Sequence, residues 1–312
     1  MTNKITFDIP YIRLTFWAEI LSDTCLPGIK VSALRGGMGE MLLRQNCVTD
    51  RKCRSCQFER VCVVSHTLYS QMQKKPAYVT GPESVGYLLE CMDNRREFKQ
   101  GSCFTFTLTL FGDSIAFFNS YLQAFCQLGM IGIGKEKSKF LIAKVCNTQD
   151  VPIVMGNQIN MRQYRIENLR SYIRDRKDEL KKSDGEWRLD FLTPLSMKYQ
   201  KEYMGQFYGE ALVLGAVRRI QMLNYYLGME VDMPEFAQFP VVKKQAAKLT
   251  GIKRYSGTQN THMILRGIIG KVIFESIPEE CLDYLIAGER TQIGRNTSFG
   301  FGKYILHREN SF

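Results

Sequence analysis

One structural unit occurs twice in this chain, and this limits the folds that the chain can adopt. Each copy is predicted to hold a strand, a helix, a glycine-rich loop and a second strand, over 101–111, 114–128, 129–135 and 140–145 in the first copy and over 268–275, 278–287, 288–294 and 304–308 in the second. Ile133-Gly-Lys-Glu-Lys-Ser138 aligns with Ile293-Gly-Arg-Asn-Thr-Ser298 at an offset of 160 residues. The shared order and this short match predict two related α+β domains in tandem.

The length of the chain agrees with this division. With 312 residues, it is long enough for two domains that each bury a core of their own. We place the first domain over 1–150, a helical connection over 151–185 and the second domain over 186–312. Within the connection, residues 162–182 are rich in charge and have only a short apolar stripe, which predicts a solvated helix or linker.

The stretch Gly288–Lys303 concentrates glycine, small polar and cationic residues. Glycines allow positive φ and let backbone N–H groups approach phosphate oxygens, while cationic side chains add charge and phenylalanines can stack on bases. The stretch therefore indicates an RNA-binding loop, and a glycine-rich hairpin whose phenylalanines face the core stays open as the alternative. The candidate RNA-binding residues are Arg290, Gly294, Arg295, Asn296, Thr297, Ser298, Phe299, Gly300, Gly302 and Lys303.

The chain has a formal net charge of +11, with basic residues in both halves. A charge of this sign and size favours a polyanionic partner, of which nucleic acid is the commonest. No stretch combines the polybasic and apolar faces of a membrane-surface helix, and no apolar run approaches the ~20 residues that span a bilayer. The first ten residues lack the apolar core of a signal peptide, so we expect a cytoplasmic protein without a membrane partner.

Four cysteines with the spacing C-x5-C-x2-C-x5-C lie in a polar, basic segment at about 45–65. A C-x-x-C pair lets two thiolates reach one metal ion, and the flanking cysteines complete a tetrahedral set. Zinc is favoured, and an iron–sulfur cluster stays open as the alternative. A site with four protein ligands is closed, so we predict a structural metal and no catalytic one. The predicted ligands are Cys47, Cys53, Cys56 and Cys62.

The segment Lys253–His262 is the second concentration of residue types that perform chemistry. RNA cleavage without a metal ion needs a base for the 2′-OH, a positive charge for the phosphorane and an acid for the 5′-oxygen. His262 and Tyr255 can serve as base or acid, and Lys253 can stabilise the transition state. A lone loop histidine is more often structural, so that alternative stays open.

Short motifs along the whole chain form a wider pattern. They are Leu26-Pro-Gly-x3-Ser32-Ala-Leu-Arg-Gly36, Phe111-Gly112, Leu128-Gly129-x4-Gly134-Lys135, Leu192-Thr-Pro-Leu195, Arg254-Tyr-Ser256-x2-Gln259, Gly267-x2-Gly270 and Gly294-x5-Gly300-Phe-Gly302. In order and spacing they closely resemble the CRISPR-associated repeat-RNA processing endoribonucleases, the Cas-six group of the RAMP superfamily, in its cysteine-containing branch.

This resemblance implies a fold and a function. The fold would be two tandem ferredoxin-like (RRM-like, RAMP) domains, with the cysteine-rich metal-binding segment inserted in the first. The function would be metal-independent cleavage of precursor guide RNA that leaves a 2′,3′-cyclic phosphate and a 5′-hydroxyl, with the glycine-rich loop on the CRISPR repeat RNA. The resemblance adds Arg254, Ser256 and Gln259 as RNA-binding residues, and a CRISPR effector complex or other CRISPR-associated proteins as partners.

Two further functions stay open. Many members of the group place a catalytic histidine on or near the first helix, but residues 31–44 contain none, and Thr258 stands where a second arginine is usual. A catalytically inactive RNA-binding subunit of a CRISPR effector complex is therefore the main alternative. A zinc-stabilised DNA-binding regulator is the third hypothesis, although the sequence contains no recognition helix.

Overall fold

The computed structural model describes residues 4–70, 72–79, 85–156, 158–256 and 261–309, with the backbone alone at 54, 253–256, 261, 262 and 309. The chain forms two compact units. We call Pro10–Gln73 together with Ala77–Ile166 the first unit. The second unit consists of Met1–Ile9, Lys74–Pro76 and Glu167–Phe312.

The first unit contains three α-helices and eight strands in its described residues. In chain order they are β1 (Pro10–Ile20), β2 (Thr24–Cys25), α1 (Val31–Asn46), α2 (Val63–Leu68), β3 (Tyr87–Glu90), β4 (Glu97–Phe98), β5 (Cys103–Phe111), α3 (Phe118–Ile131), β6 (Phe140–Cys146), β7 (Pro152–Met155) and β8 (Gln158–Ile159). Six of these strands form the main sheet in the order β3-β5-β1-β6-β7-β8, and each of these pairings is antiparallel.

Alternating apolar residues build the core of the first unit. Strand β5 alternates threonine with phenylalanine or leucine, and its register places Phe106 opposite Phe16 of β1. Their rings stack with centroids 4.8 Å apart, and Phe125 of α3 packs on both, at 5.2 Å from Phe16 and 4.7 Å from Phe106. Because one face of the strand pattern is apolar, the helices cover that face of the sheet.

Helices α1 and α3 approach each other closely at Gly37. A Cβ atom at this position would lie 2.3 Å from Leu128 of α3, so only glycine fits without a shift. Glycine at position 37 therefore permits the close approach of α1 to α3. Helix α1 begins at Val31 with Lys30 as its N-cap, and Ser32 lies inside the helix.

The second unit contains three further α-helices and seven strands in its described residues. In chain order they are β9 (Glu167–Asn168), α4 (Leu169–Leu180), β10 (Glu186–Leu195), β11 (Lys198–Tyr199), β12 (Glu202–Tyr203), α5 (Gly209–Tyr226), β13 (Val242–Ser256), β14 (Thr261–Phe274), α6 (Glu279–Thr291) and β15 (Tyr304–Glu309). The main sheet has the order β13-β14-β10-β15, again with antiparallel pairings. The predicted α+β class is confirmed.

Leu189 shows how the second core is built. It lies on the central strand β10, opposite Val272 of β14 on one side and Leu306 of β15 on the other. All three side chains are fully buried. Helices α5 and α6 pack against each other as part of this unit. Their buried faces exclude water from the apolar side of the sheet.

The predicted connection over 151–185 is divided between the two units. Residues up to Ile166 supply β7 and β8 to the first unit, and α4 belongs to the second unit. Leu169 and Ile173 are buried in α4, while Lys177 donates to Asp283 of α6 at 2.8 Å. The charged segment is therefore a packed helix with one apolar stripe, and the domain boundary lies at 166/167.

The N-terminal segment is part of the second unit. The backbone N–H of Thr6 donates to Asn224 Oδ1 at 3.0 Å, and Asn224 Nδ2 donates to the carbonyl of Thr6 at 2.9 Å. Leu169 N donates to the carbonyl of Ile9 at 3.0 Å. This segment thus satisfies polar groups of α4 and α5 that would otherwise be buried without partners.

Across the described residues, none of the helices combines the length and the apolar character needed to cross a lipid bilayer.

Candidate nucleic-acid interface

The glycine-rich loop joins α6 to β15 with an unusual backbone. Positive φ angles occur at Gln292 (55°), Gly294 (83°), Asn296 (62°), Gly300 (79°) and Gly302 (75°). Between them, Thr297–Phe299 form one turn of 3₁₀ helix. Positive φ is accessible to glycine at little cost, which explains why glycines fill three of these five positions.

Backbone hydrogen bonds fix the loop to the end of β10. Arg295 N donates to the carbonyl of Ser196 at 2.7 Å, and Gly302 N donates to the carbonyl of Pro194 at 2.9 Å. A Cβ atom on Gly302 would lie 1.8 Å from the carbonyl oxygen of Ile293, and one on Gly294 would lie 2.8 Å from that of Ser196. Glycine is therefore required at positions 294 and 302 for two reasons: the backbone comes close to another segment, and φ is positive.

Three successive backbone N–H groups of the loop have no acceptor within the described part of the chain, although Thr297 and Ser298 are themselves buried. These groups belong to Asn296, Thr297 and Ser298. They follow one another at the start of the 3₁₀ turn, with Asn296 in the left-handed region. Successive N–H groups in such a backbone create a positive concavity that binds anions such as phosphate. We call Asn296–Ser298 the N–H nest.

An exposed cationic and aromatic cluster lies beside the nest. Arg295 Nη1 is 3.4 Å from the hydroxyl of Tyr203, and Lys198 Nζ lies 5.1 Å from the centre of the Tyr203 ring. Tyr203 is 60% exposed. It lies opposite Lys198 on the short β11–β12 hairpin. We call Lys198, Tyr203 and Arg295 the Arg295 cluster; it offers both charge for phosphate and a ring for base stacking.

The sequence interpretation missed Lys198 and Tyr203. The hairpin turn holds Gln200 at φ 49° and Lys201 at φ 71°, both in the left-handed region that non-glycine residues seldom adopt. The signal in the sequence was the alternation of lysine and tyrosine in Lys198-Tyr-Gln-Lys-Glu-Tyr203. Its proximity to Arg295 depends on the tertiary structure.

Several predicted residues of the loop have packing roles. Lys303 is 9% exposed, and its ammonium donates to the carbonyl of Glu289 at 3.0 Å. The guanidinium of Arg290 stacks on the ring of Tyr172 at 4.1 Å. Phe299 is half-buried, and Gly300 ends the 3₁₀ turn. Of the three predicted cations, only Arg295 is exposed, and Lys303 as placed has no access to RNA.

The predicted catalytic residues lie on the β13–β14 hairpin. The register of the strands places Tyr255 opposite His262, Lys253 opposite Ile264 and Arg254 opposite Met263. Ser256 pairs with Thr261 at the end of the hairpin. Gln259 lies outside the described residues. The backbone thus brings Tyr255 and His262 together as one cross-strand pair.

The other two histidines have contacts elsewhere. His66 Nε2 lies 2.8 Å from the carbonyl of Arg60, and its ring stacks on Phe117 at 5.4 Å. His307 Nε2 lies 3.6 Å from Asp190 Oδ2, and Arg188 donates to the same carboxylate at 3.0 Å. Neither histidine belongs to the β13–β14 hairpin or to the glycine-rich loop.

The four predicted metal ligands share one cavity. Cys47, Cys53, Cys56 and Cys62 all line a cavity of about 220 Å³. Burial raises the pKa of the Cys53 thiol, and the charge of the other three cysteines raises it further. Among the described side chains, however, no group of three or more His, Cys, Asp or Glu residues is already arranged to hold a metal ion. The sulfur atoms are neighbours that do not yet form a ligand set.

Comparison with protein families gives two matches. The AF_1859_N family model, described as an N-terminal domain, matches residues 9–168. A model described as the CRISPR-associated endoribonuclease Cas6 matches residues 189–304, the range that includes the β13–β14 hairpin and the glycine-rich loop. No curated protein matches the sequence.

Solved structures show a similar fold at low sequence identity. A partial Cas6-RT-Cas1–Cas2 complex and a Cas6-RT-Cas1–Cas2 complex each match with a TM-score of 0.58 and 11% identity over 98% of this chain. The chain spans 47% and 29% of those two chains, respectively. A Cas6 product complex matches with a TM-score of 0.50 and 12% identity, over 96% of this chain and 99% of that one.

Proposed function

We propose that this chain, whose residues 189–304 match the model of the CRISPR-associated endoribonuclease Cas6, binds CRISPR repeat RNA and cuts precursor transcripts into guide RNAs. The observation that carries this proposal is the glycine-rich loop. It lies within the matched range, and its backbone N–H groups at Asn296–Ser298, which have no acceptor among the described residues, follow directly after the exposed Arg295.

The proposal includes a specific architecture. Each unit would be a ferredoxin-like domain, and the cysteine segment would be an insertion between α1 and β3. The element order supports this: β1-α1-β3-β5-α3-β6 and β10-α5-β13-β14-α6-β15 both follow the order β-α-β-β-α-β. In each sheet the second, third, first and fourth of these strands are neighbours in that order.

RNA recognition would combine two kinds of contact. The N–H nest and Arg295 would hold the phosphate backbone, which positions RNA without reading its sequence. Tyr203 would stack on an unpaired base, as aromatic side chains do where RNA is single-stranded. The net charge of +11 supplies the long-range attraction to RNA.

The proposed reaction is transesterification by the RNA itself. The 2′-hydroxyl next to the cut attacks the phosphorus, the bond to the 5′-oxygen breaks, and a 2′,3′-cyclic phosphate and a 5′-hydroxyl are left. His262 and Tyr255 would remove and deliver the protons, and Lys253 would stabilise the charged phosphorane. The cross-strand pairing of Tyr255 with His262 supports their acting together. No step in this scheme uses a metal ion.

Association with other CRISPR-associated proteins is part of the proposal. Two of the solved structures are titled as complexes of Cas6, RT, Cas1 and Cas2. This chain spans less than half of either matching chain. We propose the same association for it.

A second candidate function is an inactive subunit that only holds CRISPR RNA. The observation in its favour is helix α1, which contains no histidine, whereas many members of the family have a catalytic histidine on or near their first helix. Such a subunit would use the same loop and the same charge, so the two candidates differ only in cleavage.

Cleavage of a repeat RNA in EDTA tests the proposal directly. The end-labelled RNA would carry the repeat of the neighbouring CRISPR array, and a second RNA would have a 2′-deoxy sugar at the presumed cut. We expect one cut in the first RNA, with a cyclic phosphate end, and none in the second. His262→Ala should abolish the cut, while the matched variant His66→Ala should keep it.

Each other result has a defined meaning. Tight binding with both RNAs intact would select the inactive RNA-holding subunit. Cleavage of the 2′-deoxy RNA would contradict attack by the 2′-hydroxyl. Full activity of His262→Ala would remove that residue from the mechanism. Absence of both binding and cleavage would overturn both candidate functions.

A further inference from the structure

The segment Cys47–Cys62 shows an unusual division between inward and outward side chains. The burial of every side chain from 47 to 62 is described, except at position 54. Within that set, the four cysteines are partly buried and all the other residues are exposed. The cysteines line the shared cavity, and the more exposed Val48, Thr49, Phe58, Glu59 and Val61 contribute to its rim. Such a division is expected when the cysteines themselves form the interior of the segment.

The contact of this segment with the apolar core of the first unit is made by two of the cysteines, Cys53 and Cys62. Val48 is 82% exposed and Val61 is 78% exposed, so the apolar residues that it does contain are not used for packing. Its regular structure is one turn of 3₁₀ helix at Cys53–Ser55. Segments that cannot bury enough apolar surface are usually held by disulfides or by a metal ion. Apart from the cysteines, this segment is joined to its neighbours by exposed contacts, such as those of Arg51 with Glu40 and of the Arg60 carbonyl with His66.

The outer cysteines lie at the ends of packed helices. Cys47 is the C-cap of α1, and Cys62 is the N-cap of α2. Leu42 of α1 and Val64 of α2 belong to the core of the first unit. An ion that joined Cys47 to Cys62 would connect two elements that are already rigid, so little conformational entropy would be lost at these two ligands.

We propose that Cys47, Cys53, Cys56 and Cys62 bind one Zn²⁺ ion as four thiolates, and that this ion fixes the segment between α1 and α2. Four soft sulfur donors select zinc or an iron–sulfur cluster over the hard ions Mg²⁺ and Ca²⁺. The spacing puts two ligands on one tight turn and one ligand on each helix end. All four thiols are free of disulfide bonds.

The charge of the surroundings suits this complex. Zinc with four thiolates has a net charge of −2. Between the first and the last of the four cysteines, the sequence has four basic residues and two acidic ones, a net charge of +2 that is opposite in sign to that of the complex. Arg51 and Lys52 also pair with Glu40 and Asp50. Because the side chains do not yet form a ligand set, binding of the ion and final folding of the segment would occur together. This site is independent of the RNA-binding loop, so it can exist whether or not the proposed function is right.

Metal analysis of the full-length protein tests the site without any activity assay. Protein purified under reducing conditions without chelator should contain one zinc per chain by mass spectrometry of the metal. Titration with a mercurial reagent should release that zinc as four thiols react. Replacement by Co²⁺ should give the visible and near-ultraviolet bands of tetrahedral cobalt bound by thiolates.

Variants identify the ligands. Cys53→Ser and Cys56→Ser should lower the zinc content at least fivefold, while Cys25→Ser, which changes an exposed cysteine outside the segment, should leave one zinc per chain. If the ligand variants fail to fold, the cobalt spectrum and the thiol titration of the unaltered protein still decide. Less than a tenth of a zinc per chain, iron with labile sulfide, or disulfides among these cysteines would each overturn the proposal.

Discussion

The hydroxyl of Tyr172 donates a hydrogen bond of 2.7 Å to the buried carboxylate of Glu289 and so joins α4 to α6. The same carboxylate accepts from Arg176 Nε at 3.3 Å and from the backbone N–H of Leu306 at 2.8 Å. Glu289 thus connects α4 to α6 and β15. The last two elements are the ones that the glycine-rich loop joins. A buried charge with this many donors is compensated, and its removal leaves several donors without an acceptor.

Glu289→Ala should lower the free energy of unfolding by roughly 3 kcal/mol, because buried donors then lose their acceptor. Tyr172→Phe removes one hydrogen bond and should cost about 1 kcal/mol. Urea denaturation followed by circular dichroism measures both. Glu202→Ala, which changes an exposed glutamate of β12, is the matched control and should change stability by less than about 0.5 kcal/mol. Equal effects of Glu289→Ala and Glu202→Ala would contradict this account of the network.

Gln292 is a strained residue at the start of the glycine-rich loop. Its backbone angles are φ 55° and ψ 162°, a region that is almost restricted to glycine, and in the aligned position of the first unit Gly132 has φ 91° and ψ 160°. Its side chain is fully buried, and neither carboxamide atom has a hydrogen-bond partner among the described residues.

Gln292→Met should therefore raise the free energy of unfolding by about 1 kcal/mol, because it keeps the volume and removes an unsatisfied amide. Gly132→Ala should do the opposite and lower it by more than about 2 kcal/mol, since the new Cβ would meet the carbonyl of Lys137 at 2.1 Å. Thermal and urea unfolding of both variants provide the check. A loss of stability in Gln292→Met would mean that the carboxamide has a partner, such as a bound water, that stabilises the loop.

The Arg295 cluster can be tested by RNA affinity. Arg295→Ala should weaken binding and reduce the slope of log K against log salt by about 0.7, as expected for one lost phosphate contact on single-stranded RNA. Arg174→Ala removes the same charge from an exposed site on α4 and serves as the control. We expect no comparable change in slope for that variant. Equal slopes in the two variants would show that Arg295 acts only through net charge.

Tyr203→Ala should weaken RNA binding by about 1–3 kcal/mol if a base stacks on its ring. Tyr203→Phe retains the ring and loses only the hydroxyl near Arg295, so it should bind almost as well as the unaltered protein. Fluorescence anisotropy with a repeat RNA distinguishes the two. If both variants lost affinity equally, the hydroxyl and not the ring would be the important group.

The buried thiol of Cys281 gives a pH dependence of stability. Burial raises the pKa of this thiol to about 11, whereas an unfolded thiol ionises near 8.5. Between these values the folded protein keeps a proton that the unfolded chain has lost, so the free energy of unfolding falls as the pH rises. The stabilisation is fully present below about pH 8.5 and is lost on the way to pH 11.

Cys281→Ala removes this contribution to the pH dependence. Its free energy of unfolding should decline less steeply than that of the unaltered protein between pH 8.5 and 10.5, as measured by urea denaturation at each pH. Cys25→Ala, at an exposed thiol, should leave the slope unchanged. Parallel curves for Cys281→Ala and the unaltered protein would show that the Cys281 thiol ionises as easily in the folded state as in the unfolded one.

Much of the fold could be predicted from local patterns in the sequence. The alternation of threonine with phenylalanine and leucine predicted β5, and the recurring unit predicted the helix and strands around each glycine loop. The resemblance to the Cas-six group is confirmed by the family match over residues 189–304. These features are encoded by neighbouring residues, which is why the sequence alone reveals them.

Features that depend on distant contacts were not predictable in this way. The apolar stripe of α4 is short, and much of its packing comes from α6, over a hundred residues later. A cation in a glycine-rich loop appears suited to RNA, but Lys303 has its ammonium on the carbonyl of Glu289, and only the folded chain brings these groups together. The proximity of Tyr203 to Arg295 was hidden for the same reason.

Thr6 and Ile9 bind partners that are synthesised much later than they are. Lys4–Ile9 bind Asn224 and Leu169, so the second unit cannot be completed before translation has passed α5. The first unit, whose residues all lie between Pro10 and Ile166, can fold while the rest of the chain is still being synthesised. Until α5 has been synthesised, Thr6 therefore lacks the partner that it has in the folded protein.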